Sequence, residues 1–176
     1  MNIIFQSPRL YFREFTEQDV DILLDLDSNP NVIKYMHRPV PTIQNVREEL
    51  QKKILPHYKL HGYGRWAIHL RQDHTFIGAC GLKYLPELDE TDMGYQFKEA
   101  HWGKGYGCEA AKATIIHGLD VLKLPAIFAK ALPENIASWK IMEKCEMKYV
   151  GDMIDTDGLT VRKYAINTHC FKPQTL

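Results

Sequence analysis

Three glycines at alternate positions, Gly103, Gly105 and Gly107, constrain this chain more than any other stretch. They sit in the run His101-Trp102-Gly103-Lys104-Gly105-Tyr106-Gly107-Cys108-Glu109-Ala110-Ala111. The run follows a strand-like segment, 91–97. It leads into a segment whose apolar residues Ala111, Ile115, Leu119 and Leu122 fall at helical spacing. Glycine has no Cβ, so the backbone there can turn sharply and approach a ligand closely. The first N–H groups of a helix lack intrahelical partners and carry its positive end. Strand, glycine turn and helix therefore form an anion site suited to a phosphate or diphosphate. The same run also serves a tight connection that binds nothing, and the local pattern leaves both readings open. Two nucleotide motifs fail on spacing. No GxxxxGK[ST] string occurs, and the sixth position counted from Gly103 is Cys108 rather than the glycine of GxGxxG.

Bulk properties narrow the class. At 176 residues the chain reads as one domain, 1–176, with enough length for a sizeable core. Lys+Arg and Asp+Glu number 22 each, so the net charge is zero and direct nucleic-acid binding is not expected. No apolar run approaches the roughly 20 residues of a membrane span. Met1 to Gln6 has neither the basic start nor the apolar stretch of a signal peptide. Cys80, Cys108, Cys145 and Cys170 are far apart and show no CxxC spacing. They read as reduced thiols of a cytoplasmic protein, with no metal expected. His57 and His61 have the i, i+4 spacing that metal ligands use. Pro56 beside them favours a loop-like surface reading.

Periodicity and turn residues set the element order. Residues 9–15 read as a strand, and Thr16 caps a helix ending near Asn29-Pro30. Thr42 caps a second helix with the stripe Ile43, Val46, Leu50 and Ile54, ended or kinked by Pro56. Residues 64–71, 75–85 and 91–97 read as strands, and 126–132 as a short one after the glycine-run helix. Residues 135–144 read as a helix, and 149–154 with 159–167 as a hairpin around Asp157-Gly158. This is a mixed α/β (α+β) domain with an antiparallel middle.

In that context Trp102-Gly103-Lys104-Gly105-Tyr106-Gly107 resembles the acetyl-CoA loop of the GNAT N-acetyltransferases. Ser7-Pro8-Arg9-Leu10-Tyr11-Phe12-Arg13 is similar to the family's first strand, and Phe76-Ile77-Gly78-Ala79-Cys80-Gly81-Leu82 to its third. Asp92-Met93-Gly94-Tyr95-Gln96-Phe97 is similar to the fourth. Asn135-Ile136-Ala137-Ser138 with Met142-Glu143-Lys144 is similar to the final helix. The Trp-Gly-Lys-Gly-Tyr wording, Glu109-Ala110 and the Asn-x-x-Ser start point to the RimJ/RimL-like branch, named for acetylating ribosomal-protein N-termini.

The resemblance implies a GNAT fold, a mostly antiparallel sheet of about seven strands with flanking helices, splayed between the family's strands 4 and 5. It implies acetyl-CoA as co-substrate and direct attack by a primary amine in a ternary complex. The acceptor is either a protein N-terminal α-amine or a small-molecule amine. The chain is expected to be a monomer or homodimer. Trp102, Gly103, Lys104, Gly105, Tyr106, Gly107 and Cys108 would hold the diphosphate. Tyr95, Gln96, Phe97 and Asn135 would line the pantetheine arm. Ser138 would protonate the leaving thiolate, and Asp92 would take the amine's proton directly or through water. The acceptor would lie between the first two helices and the last hairpin, near Tyr35, Met36, His37, Tyr63, Arg65 and Trp66.

One segment departs from the family pattern. Many GNAT enzymes carry a general-acid tyrosine in a string like Tyr-Glu-Lys-x-Gly-Phe, where this chain reads Met142-Glu143-Lys144-Cys145-Glu146-Met147. The missing glycine implies a different turn after Lys144. The missing tyrosine keeps a second reading open, a catalytically silent acyl-CoA-binding regulatory module.

Overall fold

Alternation along Arg65–Leu70 sends Trp66 and Ile68 into one apolar layer and Ala67 into another, so this strand (β3) lies inside a sheet covered on both faces. A computed structural model describes residues 2–168 and places β3 in an eight-stranded sheet; Cys170 lies outside those residues. The other strands are β1 (Ile3–Gln6), β2 (Leu10–Arg13), β4 (Phe76–Leu85), β5 (Glu90–Phe97), β6 (Ala126–Ala131), β7 (Lys148–Ile154) and β8 (Thr160–Asn167). Their spatial order is β1-β2-β3-β4-β5-β6-β8-β7. Every neighbouring pair is antiparallel except β5 with β6. The eighth strand, beyond the seven expected, is β1. Its backbone adds to the edge at β2 (Phe5↔Phe12), and the Phe5 ring stacks on Phe12 with centroids 4.2 Å apart.

Helices cover the two faces. On one side α5 (Tyr106–Ile116), continued by a wider turn at His117–Val121, and α6 (Ile136–Lys144) bury Ala110, Ala111, Ile115, Leu119 and Met142. On the other, α1 (Val20–Asp27) and α3 (Ile43–Glu49) bury Leu23, Leu26 and Val46. A short helix, α2 (Pro30–Ile33), connects them. Thr42 caps α3 as its sequence suggests. Its hydroxyl accepts the Asn45 N–H at 3.2 Å, and Asn45 Oδ1 accepts the Thr42 N–H at 3.0 Å.

Pro56 neither ends nor sharply breaks the helical path. Leu50–Ile54 widens into a π turn, with the Leu55 N–H bonded to Leu50 O, and α4 (Leu55–His61) follows directly. Pro56 then falls in the first turn of α4, where its missing N–H leaves no gap. His57 and His61 are therefore helical, not looped. The Tyr84 N–H donates to His57 Nε2 at 3.1 Å, so Nδ1 carries the proton and donates it to Tyr63 O at 2.7 Å. His57 joins α4 to β4; it is a structural histidine.

The missing glycine does not give a different turn after Lys144, contrary to the expectation from the sequence. The Glu146 N–H bonds Glu143 O at 2.9 Å and the Met147 N–H bonds Met142 O at 3.1 Å. This is a Schellman cap, with Met142 and Met147 buried in the same apolar cluster. Its left-handed residue is Glu146, at φ 63°. A side chain there costs roughly 1 kcal/mol relative to glycine. Glu146→Gly is expected to raise Tm by about 2–4 °C in a thermal melt.

Three imidazoles, His69 and His117 buried and His57 half-buried, give the stability a defined pH dependence. Burial, ahead of every other influence, pushes His57, His69 and His117 below the usual histidine value. The unfolded chain therefore takes up protons before the folded one does, and stability is lost as pH falls from about 6.5. Tm is expected to fall steadily from pH 7 to pH 5. A flat profile over that interval contradicts the assignment.

Candidate active site

The site begins where two strands part. β5 pairs with β4 along its whole length, from Gly78↔Phe97 to Leu85↔Glu90. With β6 it shares one register pair, Asp92↔Phe128. From Met93 to Phe97 the β5 backbone has β4 on one side and no strand on the other. Parallel neighbours that diverge after one pair leave backbone donors and acceptors open in a slot. Tyr95 crosses from this stretch to α6. Its hydroxyl donates to Ser138 O at 2.7 Å and lies 3.0 Å from Ser138 Oγ. Burial pushes the Tyr95 phenol above its usual range, with the Ser138 bond opposing it. Asn135 caps α6 through Oδ1, which accepts the Ser138 N–H at 3.3 Å. Tyr95, Asn135 and Ser138 thus form one wall of the slot. Phe97 is 8% exposed and belongs to the core beneath it.

The glycine run closes the slot's far end. Gly103 and Gly105 have φ of 73° and 80°, left-handed values open to glycine at little cost. Gly105 is the N-cap of α5, and the first bond across that cap runs from the Glu109 N–H to Gly105 O at 3.1 Å. The N–H groups of Tyr106, Gly107 and Cys108 precede it, and Gly105 has no side chain to cap them. Trp102 is 47% exposed, and its indole N–H donates to Phe97 O at 2.8 Å, pinning the loop to the end of β5.

Two residues hold this loop that sequence reasoning did not select for the site. Glu109 accepts the Arg9 N–H at 2.8 Å, Arg9 Nε at 2.6 Å and the Ser7 hydroxyl at 2.7 Å. Arg9 Nη1 reaches Lys104 O at 3.0 Å, and its guanidinium lies 4.5 Å from the centroid of the Tyr106 ring. Burial alone would raise the Glu109 carboxyl; the bonds from Ser7 and Arg9 outweigh it and hold it below the usual range. Both residues stood inside recognised motifs, but no local signal pairs positions 100 residues apart.

The opposite face of β5 floors a cavity of about 330 Å³. Gly94, Tyr95 and Gln96 line it together with Asp27, Arg38 and Arg65. Met36 and Arg65 are there, as the sequence suggested. Tyr35, His37, Tyr63 and Trp66 do not line it, and Trp66 is 1% exposed in the core. The cavity's boundary is α1, the segment carrying Met36 and Arg38, α3, Ile54 of the π turn and the sheet; no residue of the last hairpin lines it. Asp92 lies behind the lining. Its carboxylate is ion-paired to Arg65, whose guanidinium also bonds the carbonyls of Gly81 and Asp92. A Cβ at Gly94 would stand 2.6 Å from Arg65 Nη2, so glycine makes room for that guanidinium.

Among the described residues no group of three His, Cys, Asp or Glu is arranged to hold a metal ion. Cys80, Cys108 and Cys145 are free thiols, and no helix there is long and apolar enough to cross a membrane.

Residues 9–148 match the family described as Acetyltransferase (GNAT) domain. The chain is 31% identical over 152 residues to an uncharacterized N-acetyltransferase p20 of Bacillus licheniformis, covering 85% of this chain and 84% of that one. Its fold resembles the crystal structure of an acetyltransferase (GNAT family) from Bacillus anthracis, with TM-score 0.79, 27% identity and coverage of 95% and 98%. It also resembles RimL, a ribosomal L7/L12 alpha-N-protein acetyltransferase solved with coenzyme A, with TM-score 0.80, 21% identity and coverage of 97% and 100%.

Gly105→Val forces a β-branched side chain to a left-handed position at the mouth of the anion site. Acetyl-CoA affinity by calorimetry is expected to fall at least about 10-fold while the far-ultraviolet circular dichroism stays native. Unchanged affinity refutes the loop assignment.

Proposed function

Since the chain belongs to the GNAT acetyltransferase family, we propose that it transfers the acetyl group of acetyl-CoA to a primary amine by direct attack in a ternary complex. Acetyl-CoA-dependent N-acetyl transfer is the activity of the family; the amine and the residue roles are our reading. One observation carries it. The stretch Gly94–Gln96 is at once the side of the slot left open by β6 and the floor of the cavity on the other face. A thioester held in the slot and an amine held in the cavity would meet across it.

The chemistry asks three things of the protein. The diphosphate rests on the free N–H groups at the start of α5, with Trp102, Gly103, Lys104 and Gly105 shaping the turn. The pantetheine passes Tyr95, Gln96 and Asn135, above Phe97. An open backbone N–H of β5 polarises the thioester carbonyl. The amine nitrogen then bonds the acetyl carbon, the carbon–sulfur bond breaks, and the sulfur leaves as thiolate. Ser138 hands it a proton. Tyr95 commits its own hydrogen to Ser138 O, so in the 3.0 Å contact the Ser138 hydroxyl donates to the Tyr95 oxygen, and that hydrogen has to turn from Tyr95 to reach the sulfur. Asp92 receives the amine's proton through a water, because Arg65 stands between its carboxylate and the cavity.

The RimL neighbour is named for a protein α-amine, and that acceptor class suits a cavity open to the end of a chain. We assign residues 1–176 to one domain, because a single sheet holds every strand described. We place the protein in the cytoplasm, in keeping with the three free thiols among the described residues. The binding-module reading draws its support from the Arg65–Asp92 ion pair, which occupies the expected base.

Continuous thiol release from acetyl-CoA with a panel of peptides and amines separates the two readings. Acceptor-dependent release is expected; cofactor binding with no release on any amine refutes transfer. Ser138→Ala is expected to lower kcat about 10-fold with acetyl-CoA affinity kept, since a thiolate needs little protonic help. Asp92→Asn is expected to lower kcat about 100-fold. A lowered melting temperature with kcat intact instead assigns Asp92 to holding Arg65.

A further inference from the structure

The charges in the cavity beside Gly94–Gln96 form a pattern that neither the slot nor the anion loop uses. Asp27, the last residue of α1, is 6% exposed. Gln96 Nε2 donates to its Oδ1 at 2.7 Å, and Arg38 Nη2 to its Oδ2 at 2.7 Å. Arg38 Nη1 reaches Glu49 Oε2 at 3.2 Å. Nε of the same guanidinium is buried and has no hydrogen-bond partner. Such a donor bears its full desolvation cost until something accepts its proton.

The formal charges do not cancel. Asp27 and Glu49 flank the single positive charge of Arg38, which leaves one negative charge on this wall. Arg65 adds nothing, because Asp92 neutralises it. A carboxylate offers about four acceptor sites, and Gln96 and Arg38 fill two of those on Asp27. Burial, ahead of the opposing influence of Arg38 and Gln96, pushes the Asp27 carboxyl above its usual range. A further cationic partner would stabilise its charged form. The wall thus holds an anion with open acceptor sites and, on the side chain that touches it, a buried N–H donor without a partner. The rest of the lining is apolar, from Phe15, Leu23, Leu26 and Val46.

We infer that this cavity recognises an ammonium adjacent to a neutral carbonyl, the chemistry of an α-amino amide, with Asp27 binding the ammonium and Arg38 Nε–H the carbonyl oxygen. The inference rests on the acetyl-transfer reading for what happens to that amine. It selects against two other amines. A polyamine has no oxygen for Arg38 Nε and leaves that buried donor unpaired. A free amino acid sets its carboxylate beside Glu49. The apolar lining favours an aliphatic side chain. A peptide N-terminus and a free amino-acid amide share the recognised groups.

The test is calorimetry on the protein saturated with coenzyme A. Leucinamide is compared with 3-methylbutylamine, which has the same alkyl amine without the carbonyl, and with leucine and spermidine. Leucinamide is expected to bind at least about 10-fold tighter than each of the others. Arg38→Lys keeps the charge and removes the Nε donor, so the preference over 3-methylbutylamine is expected to collapse. Glu49→Gln, read independently, is expected to tighten leucine relative to leucinamide. Equal affinity for leucinamide and 3-methylbutylamine, tighter binding of spermidine, or an intact preference in a folded Arg38→Lys protein overturns the inference. A leucine-initiated hexapeptide distinguishes the sources: binding equal to leucinamide identifies a peptide N-terminus, and loss of binding a small amide. Acetyl transfer to leucinamide is measured separately. Preference in binding without transfer sustains the recognition and refutes the activity; transfer without preference does the reverse.

Discussion

The separation of β6 from β5 after the single pair at Asp92 and Phe128 is the constraint on which the rest of this structure depends. A sheet that continued its pairing would satisfy the β5 backbone and leave no room for a pantetheine arm. By parting, the strands expose backbone polar groups between Met93 and Phe97 that require a partner. The same divergence gives Tyr95 a path to α6, where it fastens Ser138. Slot, wall and the floor of the cavity are therefore consequences of one event in strand pairing.

What keeps the parts in register is a set of polar contacts between distant segments. Glu109 and Arg9 bind the start of α5 to the start of β2, and Trp102 ties the loop to Phe97. On the other face, four contacts tie the α1 region to the β5 end of the loop. Gln96 bonds Asp27 at 2.7 Å, Lys98 pairs with Asp25 at 2.6 Å, and Glu99 accepts Asn29 and Asn31 at 2.9 Å each. The exposed pairs among these contribute little stability singly. Their effect is geometric, because they bind the wall of the cavity to the strand that carries the slot.

Much of the fold was legible from local chemistry. Period-two burial and turn residues marked strands β2 to β8, and the Thr42 capping box and the helical stripes marked the helices. Two misreadings have local physical causes. Pro56 reads as a helix breaker, but a π turn at Leu50–Ile54 absorbs its missing N–H. The missing glycine read as a different turn after Lys144, but the Schellman bonds and the burial of Met142 and Met147 hold the left-handed turn with Glu146 in it. β1 went unread because Met1 to Gln6 was examined as a targeting segment. Its pairing is visible only when β2 offers an edge.

The sequence by itself determined the anion-binding turn, the order of elements and the family, since each depends on residues within a few positions of one another. A glycine's freedom, a helix's free N–H groups and a strand's alternation are local properties and survive translation into letters. Only the tertiary structure decided which charges meet. Asp92 looked like an open strand carboxylate until Arg65, 27 residues away, closed over it. Asp27 and Arg38 carried no site signal in the sequence, and it is Gln96 and Glu49 that join them in the wall of the cavity. The partner and burial of an ionisable group depend on contacts between distant segments, and those are written in no single stretch of the chain.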